Sequence, residues 1–505
     1  PAIAKKLTYT PGMKFTEAHF IELMQQCRIE WIKFQNEKGL ALLKEQNGEL
    51  AKINPNVKRS VYGPINVYVT PTLTNHSLGV YCNDDYNAIT KDIFTGFAIF
   101  EDYPFSCSYQ TYRGAFTLMT LLLHCPGLTI YPEQYSGGRG GCIDGAVKFA
   151  HAPMGKYDLP SYQNATHAFE FVFNTAHKLA DGYHYWDTYG FHRAPGLIED
   201  LSVAWKYVIQ NKPKQPMKSM AILAEYSDKE DYFEIYKHNN GKQTYGIVNP
   251  SEMGHGIIYE TARESGVPNP FALKYDALSS LTGEECDILV LPCLKEVDSS
   301  IIREIRRLYN EGVNLMATSD VSGLEDIFGV AKDERMVNIN CISAGDDKEF
   351  VRECEAKLNY RPSVGTPVLS DGNGNPLIIK TSRTLLINTS VTNLGSSDSI
   401  HMVVGRAPHI IGHLLRQSLI AAIRSLSAPL ALGENVGVTL FQTHDNRNML
   451  LAIDYTPFDN VERKPKEAVI KLNIETCKEV KCDRQLFVGK KDGIVKGVYD
   501  YKTEH

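Results

Sequence analysis

Glu133 is the acidic residue whose setting most favours chemistry. It follows the segment 127–131, Gly-Leu-Thr-Ile-Tyr, which predicts a buried strand, and Tyr135 stands two residues further on. A carboxylate held rigidly at the end of a parallel strand, beside aromatic walls, suits attack on an anomeric carbon or transfer of a proton. A surface glutamate in a strand-to-helix loop is the alternative interpretation, and the pattern alone leaves it open.

Other ionisable residues at predicted strand ends compete with Glu133. Glu101 and Asp102 are adjacent, and neighbouring side chains on a strand face opposite sides, so only one of them could enter a cleft. Asp187 is a third carboxylate at such a position. His184 and His192 are equally consistent with core or loop positions.

The elements that position these residues alternate between strands and helices. Strands are predicted at 65–70, 96–104, 127–131 and 182–187, and helices at 16–52, 111–124, 162–179 and 196–210. This alternation predicts a parallel sheet with its functional groups at the carboxyl ends of the strands, as in a (β/α)8 TIM barrel. Only four strand–helix units are visible before residue 213, and a closed barrel needs eight, so we expect a portion of a barrel.

Two further regions follow a Pro- and Lys-containing boundary at 211–217. Strands at 220–225, 271–275, 286–292 and 313–319, with helices at 251–265, 297–311 and 408–426, predict a doubly wound α/β domain. Short alternating strands at 437–441, 449–454 and 467–472 predict a small antiparallel β-sandwich domain. The expected fold class is therefore α/β, with domains at 1–212, 213–428 and 429–505.

The composition excludes several classes of partner and site. The net charge of −6 gives no basis for binding nucleic acid or an anionic membrane, and no apolar run is long enough for a transmembrane helix. None of the 11 cysteines forms a Cys-x-x-Cys pair, which argues against zinc and favours reduced thiols in the cytoplasm. The Gly-rich stretches 136–141 and 371–375 do not follow phosphate-binding patterns, so we expect neither metal nor cofactor.

Three short motifs, taken in order, resemble the last four units of the barrel in the β-galactosidases of glycoside hydrolase family 42. These proteins belong to the clan of retaining (β/α)8 hydrolases. The order of domains is also similar, because a flavodoxin-like trimerisation domain and a small β domain follow the barrel in that family. The motifs are Glu101-Asp102-Tyr103-Pro104, Glu133-Gln134 and Ala180-Asp181-Gly182-Tyr183-His184-Tyr185-Trp186.

The resemblance implies roles for individual residues. Glu133 would be the nucleophile that forms a covalent glycosyl-enzyme. Trp186 would form part of the wall of a sugar subsite, and Asp102 and Tyr103 would lie near the cleft. We add Tyr135 and Asp187 to these residues as candidate substrate-binding groups.

Two departures from the family pattern bear on activity. After Trp186 the expected Arg and the downstream Glu-x-x-His are not evident, which puts the identity of the sugar in doubt. The acid/base residue of the clan follows the fourth strand in an Asn-Glu pair, and Asn36-Glu37 lies instead within the predicted long helix. We assign no acid/base residue and expect the first half of a barrel to lie outside this chain.

The middle domain also resembles class I glutamine amidotransferases, in outline only. At the strand-to-helix elbow, where those enzymes carry a cysteine, the sequence has Thr318-Ser319-Asp320, and Cys293 lacks the usual flanking glycines. We therefore expect a role in assembly.

Three hypotheses for the whole chain follow. The first is a glycosidase acting on β-linked glycosides, galactosides above all, as a homo-oligomer that the resemblance makes a trimer. The second is a catalytically silent carbohydrate-binding or assembly protein, and the third is one subunit of a split glycosidase.

Overall fold

A computed structural model of the chain describes the molecule in segments. They are 12–57, 61–63, 97–101, 129–135, 184–186, 212–217, 219–224, 232–237, 243–248, 250–291, 297–394, 413–427, 431–432, 436–446, 448–454, 466–471, 486–491 and 494–499, with isolated residues between 119 and 123, between 175 and 179, at 202–210 and at 294. The described helices are α1 Glu17–Ile53, α2 Pro250–Glu264, α3 Ser299–Asn310, α4 Glu325–Phe328 and α5 His413–Leu426.

The long N-terminal helix confirms the prediction for residues 16–52. Thr16 is its N-cap: the Thr16 hydroxyl accepts from the His19 backbone N–H, and the His19 ring bonds the Thr16 backbone N–H in return. Glu17 supplies the acidic first turn. Cys27, which is buried, has a non-helical φ of −138° and kinks the helix.

The first sheet holds four parallel strands in chain order. Strands predicted at 96–104, 127–131 and 182–187 are confirmed, whereas the strand expected at 65–70 falls on residues outside those described, and Val61–Gly63 is a strand instead. Within the described residues this sheet is open and does not close into a barrel. Its strands are β1 Val61–Gly63, β2 Phe97–Glu101, β3 Thr129–Tyr135 and β4 His184–Trp186.

The helices predicted between these strands are described only in part. Residues 119, 122 and 123 are helical, as are 175–176 and 202, 205, 206, 209 and 210. The helix predicted to run to 179 ends earlier, because 177–178 form a turn in which Lys178 has a φ of 56°.

The strands that follow, up to the end of the α/β region, have these bounds. They are β5 Pro213–Pro216, β6 Met220–Leu223, β7 Tyr232–Lys237, β8 Gln243–Val248, β9 Pro270–Leu273, β10 Ile288–Leu291, β11 Asn314–Thr318, β12 Val330–Ala344, β13 Asp347–Pro362, β14 Thr366–Asp371, β15 Pro376–Lys380 and β16 Thr384–Ile387. The predictions for β6, β9, β10 and β11 and for helices α2, α3 and α5 are confirmed.

A nine-stranded sheet forms the core of this region. Its parallel half runs β9-β6-β10-β11-β16, which in chain order is the 2-1-3-4-5 arrangement of flavodoxin-type sheets. The sheet is covered on both faces. One core cluster includes Ile257 of α2 and Leu419 of α5, and the other includes Ile305 of α3. This part of the chain is therefore mixed α/β, as predicted, with helices on both faces of the parallel half of the sheet.

Two hairpins were absent from the sequence predictions. β7 and β8 pair antiparallel in a stretch expected to be irregular, and β12 and β13 form a long hairpin that extends the nine-stranded sheet together with β14 and β15. Strands β12 and β13 are rich in Lys, Asp and Glu, which have low strand propensity. Their pairing with each other outweighs that local preference.

The C-terminal region is antiparallel, as predicted. Strands expected at 437–441, 449–454 and 467–472 are confirmed in two sheets, ordered β19-β18-β5 and β17-β20-β22-β21. The segment predicted to be a linker is strand β5, and its residues pair with β18. The strands of this region are β17 Ala431–Leu432, β18 Val436–Thr443, β19 Asn448–Asp454, β20 Lys466–Lys471, β21 Leu486–Lys491 and β22 Ile494–Tyr499.

A chain of buried and partly buried hydrogen bonds joins the three regions. His177 Nε2 lies 3.2 Å from the Thr439 hydroxyl, which in turn donates to Oδ1 of Asn269. Because the hydroxyl proton is used in this way, His177 is the donor in the first bond and carries its proton on Nε2. The Asn269 amide also donates to the carbonyls of Met217 and Leu440.

Candidate functional site

Glu133 lies inside strand β3, at its carboxyl-terminal end. The register of the sheet pairs Glu133 with Glu101 of β2 on one side and with His184 of β4 on the other. The three residues therefore form one row across three neighbouring parallel strands, which we call the Glu101–Glu133–His184 row. Residues in one row of a parallel sheet lie on the same face.

The backbone around Glu133 is restricted by the residue before it. Pro132 occupies the preceding register position, opposite Phe100 of β2. Proline fixes φ near −65° and cannot donate to the ladder, so β3 lacks one hydrogen-bond donor immediately before Glu133. The strand continues through Tyr135, so Glu133 belongs to regular sheet rather than to a loop.

An aromatic pair lies on the face of the sheet that holds Glu133. Tyr135 of β3 pairs with Trp186 of β4, two register positions beyond the Glu101–Glu133–His184 row and towards the carboxyl ends of the strands. Positions two apart on a strand share a face. The register thus sets one acidic position and two aromatic positions on one face of the sheet, a combination of residue types common in small-molecule sites.

The structure places some of the predicted site residues and not others. Glu133, Tyr135 and Trp186 occupy adjoining strands, while Asp102, Tyr103, Asp187 and His192 lie outside the described residues. His184 had no preferred role in the sequence, and its place beside Glu133 depends on register, which no local pattern reveals.

The turn after β11 holds Ser319 in a left-handed backbone conformation. Ser319 has a φ of 60°, rare for a residue with a Cβ, and the Asp320 N–H closes the turn on the Thr318 carbonyl at 2.7 Å. The Asn359 amide donates to the Ser319 carbonyl at 2.6 Å, and the Tyr360 hydroxyl donates to Asp320 at 3.2 Å. These bonds hold the turn in place.

The environment of this turn agrees with a structural role. Desolvation by burial, as the largest cause, raises the pKa of Tyr360 to about 12, so the phenol stays protonated and keeps donating to Asp320. Cys293, the other residue weighed for amidotransferase chemistry, lies outside the described residues.

His177 is a second ionisable residue in a buried setting. As a whole residue it is partly exposed, but its ring packs edge-on against Phe441, with the ring centroids 4.7 Å apart. Burial of the ring, and then the charge of Arg263, lower the pKa of His177 well below 6.5. A neutral histidine bonded to a buried threonine is a packing element between regions.

The described residues include several with side chains of the metal-binding types, such as Cys27 and His177. Among these described residues, no group of three or more His, Cys, Asp or Glu side chains is arranged to hold a metal ion. Cys27 and Cys341 are buried thiols.

The chain is similar in overall structure to several solved glycosidases, at low sequence identity. No protein-family model and no curated protein matches the sequence. Among solved structures, α-L-fucosidase isoenzyme 2 from Paenibacillus thiaminolyticus superposes with a TM-score of 0.47 and 11% identity, over 83% of this chain and 69% of that one. The β-galactosidase of the psychrophilic Marinomonas ef1 gives 0.45 and 12%, over 86% and 65%.

Gan42B, a GH42 β-galactosidase from G. stearothermophilus, gives a TM-score of 0.48 and 10% identity, over 98% of this chain and 68% of that one. The chain thus spans about two thirds of the length of these glycosidases.

Proposed function

We propose that the chain is a retaining glycoside hydrolase that acts on β-linked sugars, with galactosides as the preferred class, and that Glu133 is its nucleophile. The observation that carries this proposal is the position of Glu133 at the carboxyl end of four parallel strands, with Glu101 and His184 in the same row. Active sites of parallel α/β sheets form at this end of the strands.

The neighbours of Glu133 support a nucleophilic role. His184 is the register partner of Glu133 on the adjacent strand, and the carboxylate form of a glutamate is the form that can attack an anomeric carbon. Tyr135 and Trp186 are register partners two positions further along the same strands, and aromatic residues are suited to pack against the apolar side of a sugar ring. We propose Asp102, Tyr103 and Asp187 as further substrate contacts.

A mechanism-based inactivator tests the assignment of the nucleophile. The chain is incubated with 2,4-dinitrophenyl 2-deoxy-2-fluoro-β-D-galactoside, digested and analysed by mass spectrometry. We expect the fluorosugar on the peptide that contains Glu133, because the fluorine slows hydrolysis of the covalent intermediate. A label on another carboxylate of an active protein would overturn the assignment.

Substitution gives an independent test of the same residue. Glu133→Gln should lower kcat by at least about a thousandfold, because the amide cannot form the glycosyl ester. Glu355→Gln, on the exposed face of β13, is the matched control and should keep full activity. Full activity of Glu133→Gln would contradict the proposed function.

Assembly or sugar binding without turnover is the second candidate function, and the long β12–β13 hairpin favours it. β13 is an edge of the nine-stranded sheet, and Phe350 on it is 79% exposed. Val364, shortly beyond it, is 82% exposed. Exposed apolar residues on a long edge strand are typical of surfaces that pair with another chain.

We propose that the chain forms homo-oligomers, with a trimer as the expected size. Sedimentation velocity at two protein concentrations measures the size, and a monomer at both would contradict the proposal. A β-galactoside that binds in calorimetry without being hydrolysed would favour the silent alternative over the enzyme.

We propose that the protein works in the cytoplasm. The buried thiols Cys27 and Cys341 agree with the reducing environment that the cysteine pattern predicts. None of the described helices is both long and apolar enough to span a bilayer.

A further inference from the structure

We infer that the turn at 175–179 is a pH-sensitive anchor, which holds the first region of the chain to β18 and α2 while His177 is uncharged. Uptake of a proton by His177 opens this anchor locally, and the rest of the protein stays folded. The supporting observation is the hydrogen bond between His177 and Thr439, two residues 262 positions apart in the sequence. The inference goes beyond the proposed function and does not depend on it.

The backbone of the turn directs two of its residues into the core. Lys178 has a φ of 56° and is exposed, whereas His177 before it is half-buried and Leu179 after it is buried. Leu179 belongs to the core cluster that includes Ile257 and Ile258 of α2. An apolar residue and a histidine, on either side of an exposed lysine, therefore fasten the turn to the body of the protein.

The polar side of the anchor has no charge that could neutralise an imidazolium. Nε2 of His177 donates to the Thr439 hydroxyl, Thr439 donates to Asn269, and the imidazole ring packs edge-on against Phe441. Strand β18, Val436–Thr443, contains no ionisable side chain, and neither does the segment 265–269 that ends at Asn269. The closed anchor therefore fits a neutral histidine.

The charges of the neighbouring helix disfavour a proton on His177. Arg263 of α2 is fully buried, and its positive charge acts on the imidazole. The same helix buries Glu260 and Glu264, and Glu264 is already paired with Arg416 of α5 at 2.6 Å. Burial of the ring, and then the charge of Arg263, hold the pKa of His177 well below 6.5. A protonated His177 therefore favours the open anchor.

The opening is expected to be local because the anchor is not part of the central sheet. None of the strand pairings of the nine-stranded sheet involves residues 175–179. Short segments outside the main sheet open at a lower free energy than the whole fold does. Strand β4 begins at His184, five residues after Leu179, so we expect the opening to reach the strand that pairs with β3.

Hydrogen–deuterium exchange of the full chain, followed by mass spectrometry, tests the inference. Exchange rates between pH 7.5 and pH 5 are corrected for the intrinsic pH dependence of amide exchange. Each pH unit below about 6.5 should multiply the opening constant by up to about ten, because the open form binds a proton that the closed form excludes. Peptides covering 175–186 should therefore open about thirtyfold more at pH 5 than at pH 7.5. Peptides from β10 and β11 should not change.

Three variants separate the titration of His177 from other effects of acid. His177→Gln keeps a donor for Thr439 but does not titrate, so its opening constant should not rise on acidification. His444→Gln, in an exposed turn, is the matched control and should respond as the unaltered chain does. Thr439→Val removes the acceptor and should increase opening at pH 7.5 as well. If circular dichroism shows that His177→Gln loses its fold, His177→Asn takes its place.

The outcomes are distinct. A pH-dependent opening confined to 175–186 and absent from His177→Gln supports the inference. An equal increase in peptides from β10 and β11 would show global unfolding and overturn it, as would an increase that persists in His177→Gln. Unchanged exchange of 175–186 down to pH 5 would also overturn it. None of these measurements uses a glycoside, so failure of the proposed function is detected separately, by the fluorosugar and by Glu133→Gln.

Discussion

The side-chain amide of Asn269 pairs with both backbone groups of Leu440, accepting from its N–H at 3.2 Å and donating to its carbonyl at 2.6 Å. The same side chain accepts from the Thr439 hydroxyl and donates to the Met217 carbonyl, and Asn269 is 2% exposed. One buried amide thus satisfies polar groups of β18 and of the segment after β5, on strands that are themselves paired.

Asn269→Ala should destabilise the fold by about 2–4 kcal/mol, because it leaves several buried donors and acceptors without partners. The measurement is the free energy of unfolding in urea. Asn269→Asp removes only the donors, and we expect a loss comparable to that of Asn269→Ala. Asn373→Ala, in the exposed turn between β14 and β15, should change stability by less than about 0.5 kcal/mol. Equal stabilities for Asn269→Ala and Asn373→Ala would contradict this account.

Removing one partner of the buried ion pair between Arg416 and Glu264 should destabilise the fold strongly, whereas replacing both by apolar residues should destabilise it little. Nε of Arg416 lies 2.6 Å from Oε2 of Glu264, and their side chains are 8% and 2% exposed, respectively. Glu264→Gln should cost about 3–5 kcal/mol, since it removes the negative charge that lies against the buried Arg416 guanidinium. The double variant Glu264→Leu with Arg416→Met should recover most of that loss, because both desolvated charges are gone.

A double-mutant cycle measured by urea unfolding gives the coupling between these two residues. The exposed pair Glu49–Lys52, with side chains 65% and 72% exposed, is the control, and Glu49→Gln should change stability by less than about 0.5 kcal/mol. A loss below about 1 kcal/mol for Glu264→Gln would show that water reaches the Arg416 site.

His177 should make the protein less stable in mild acid. Its folded-state pKa is lowered well below 6.5, chiefly by burial and then by the charge of Arg263. As the pH falls through 6.5 towards the folded-state pKa, the unfolded chain binds a proton that the folded chain excludes. Stability therefore decreases over this window, by at most about 1.4 kcal/mol per pH unit. Above the window the residue contributes no pH dependence.

Urea unfolding of His177→Gln between pH 7 and pH 5 measures this contribution. The variant should lose less stability on acidification than the unaltered chain, because glutamine does not titrate. His444→Gln, in an exposed turn, is the control and should follow the unaltered chain. If the free energies of unfolding of His177→Gln and His444→Gln decrease equally on acidification, groups other than His177 cause the loss of stability.

Periodic apolar runs predicted the strands and helices that form the two-sided core, such as β6, β10 and α3. The residues of β6 and β10 are buried because neighbours cover both faces of the sheet, and such burial produces continuous apolar runs. Helix α3 buries one side only, through Ile305 and Leu308. The same rule fails for β12, in which half-buried residues alternate with exposed ones such as Lys332, Glu334 and Asn338. Strand β12 is stabilised by its pairing with β13, and the sequence of one strand alone does not predict which strand it pairs with.

The candidate site was likewise predictable from the sequence only in part. Glu133 and its strand were evident from the local pattern, because an apolar β-branched run ends at a single carboxylate. The pairing of Glu133 with Glu101 and His184 depends on how three distant strands align, and a shift of one residue would reverse the face of each. Register of this kind follows from packing over the whole sheet.

The pairing of β5 with β18 makes the α/β region an insertion within a single small sheet. Residues 217–435 lie in the sequence between these two paired strands. The chain therefore leaves the sheet after β5 and returns to the same sheet in β18, where Met217 bonds to Leu440. During synthesis β5 emerges long before its partner exists, and the closure entropy of so long a loop opposes pairing until the intervening region has compacted. We therefore expect the inserted region to fold first and, by becoming compact, to bring strands β5 and β18 together.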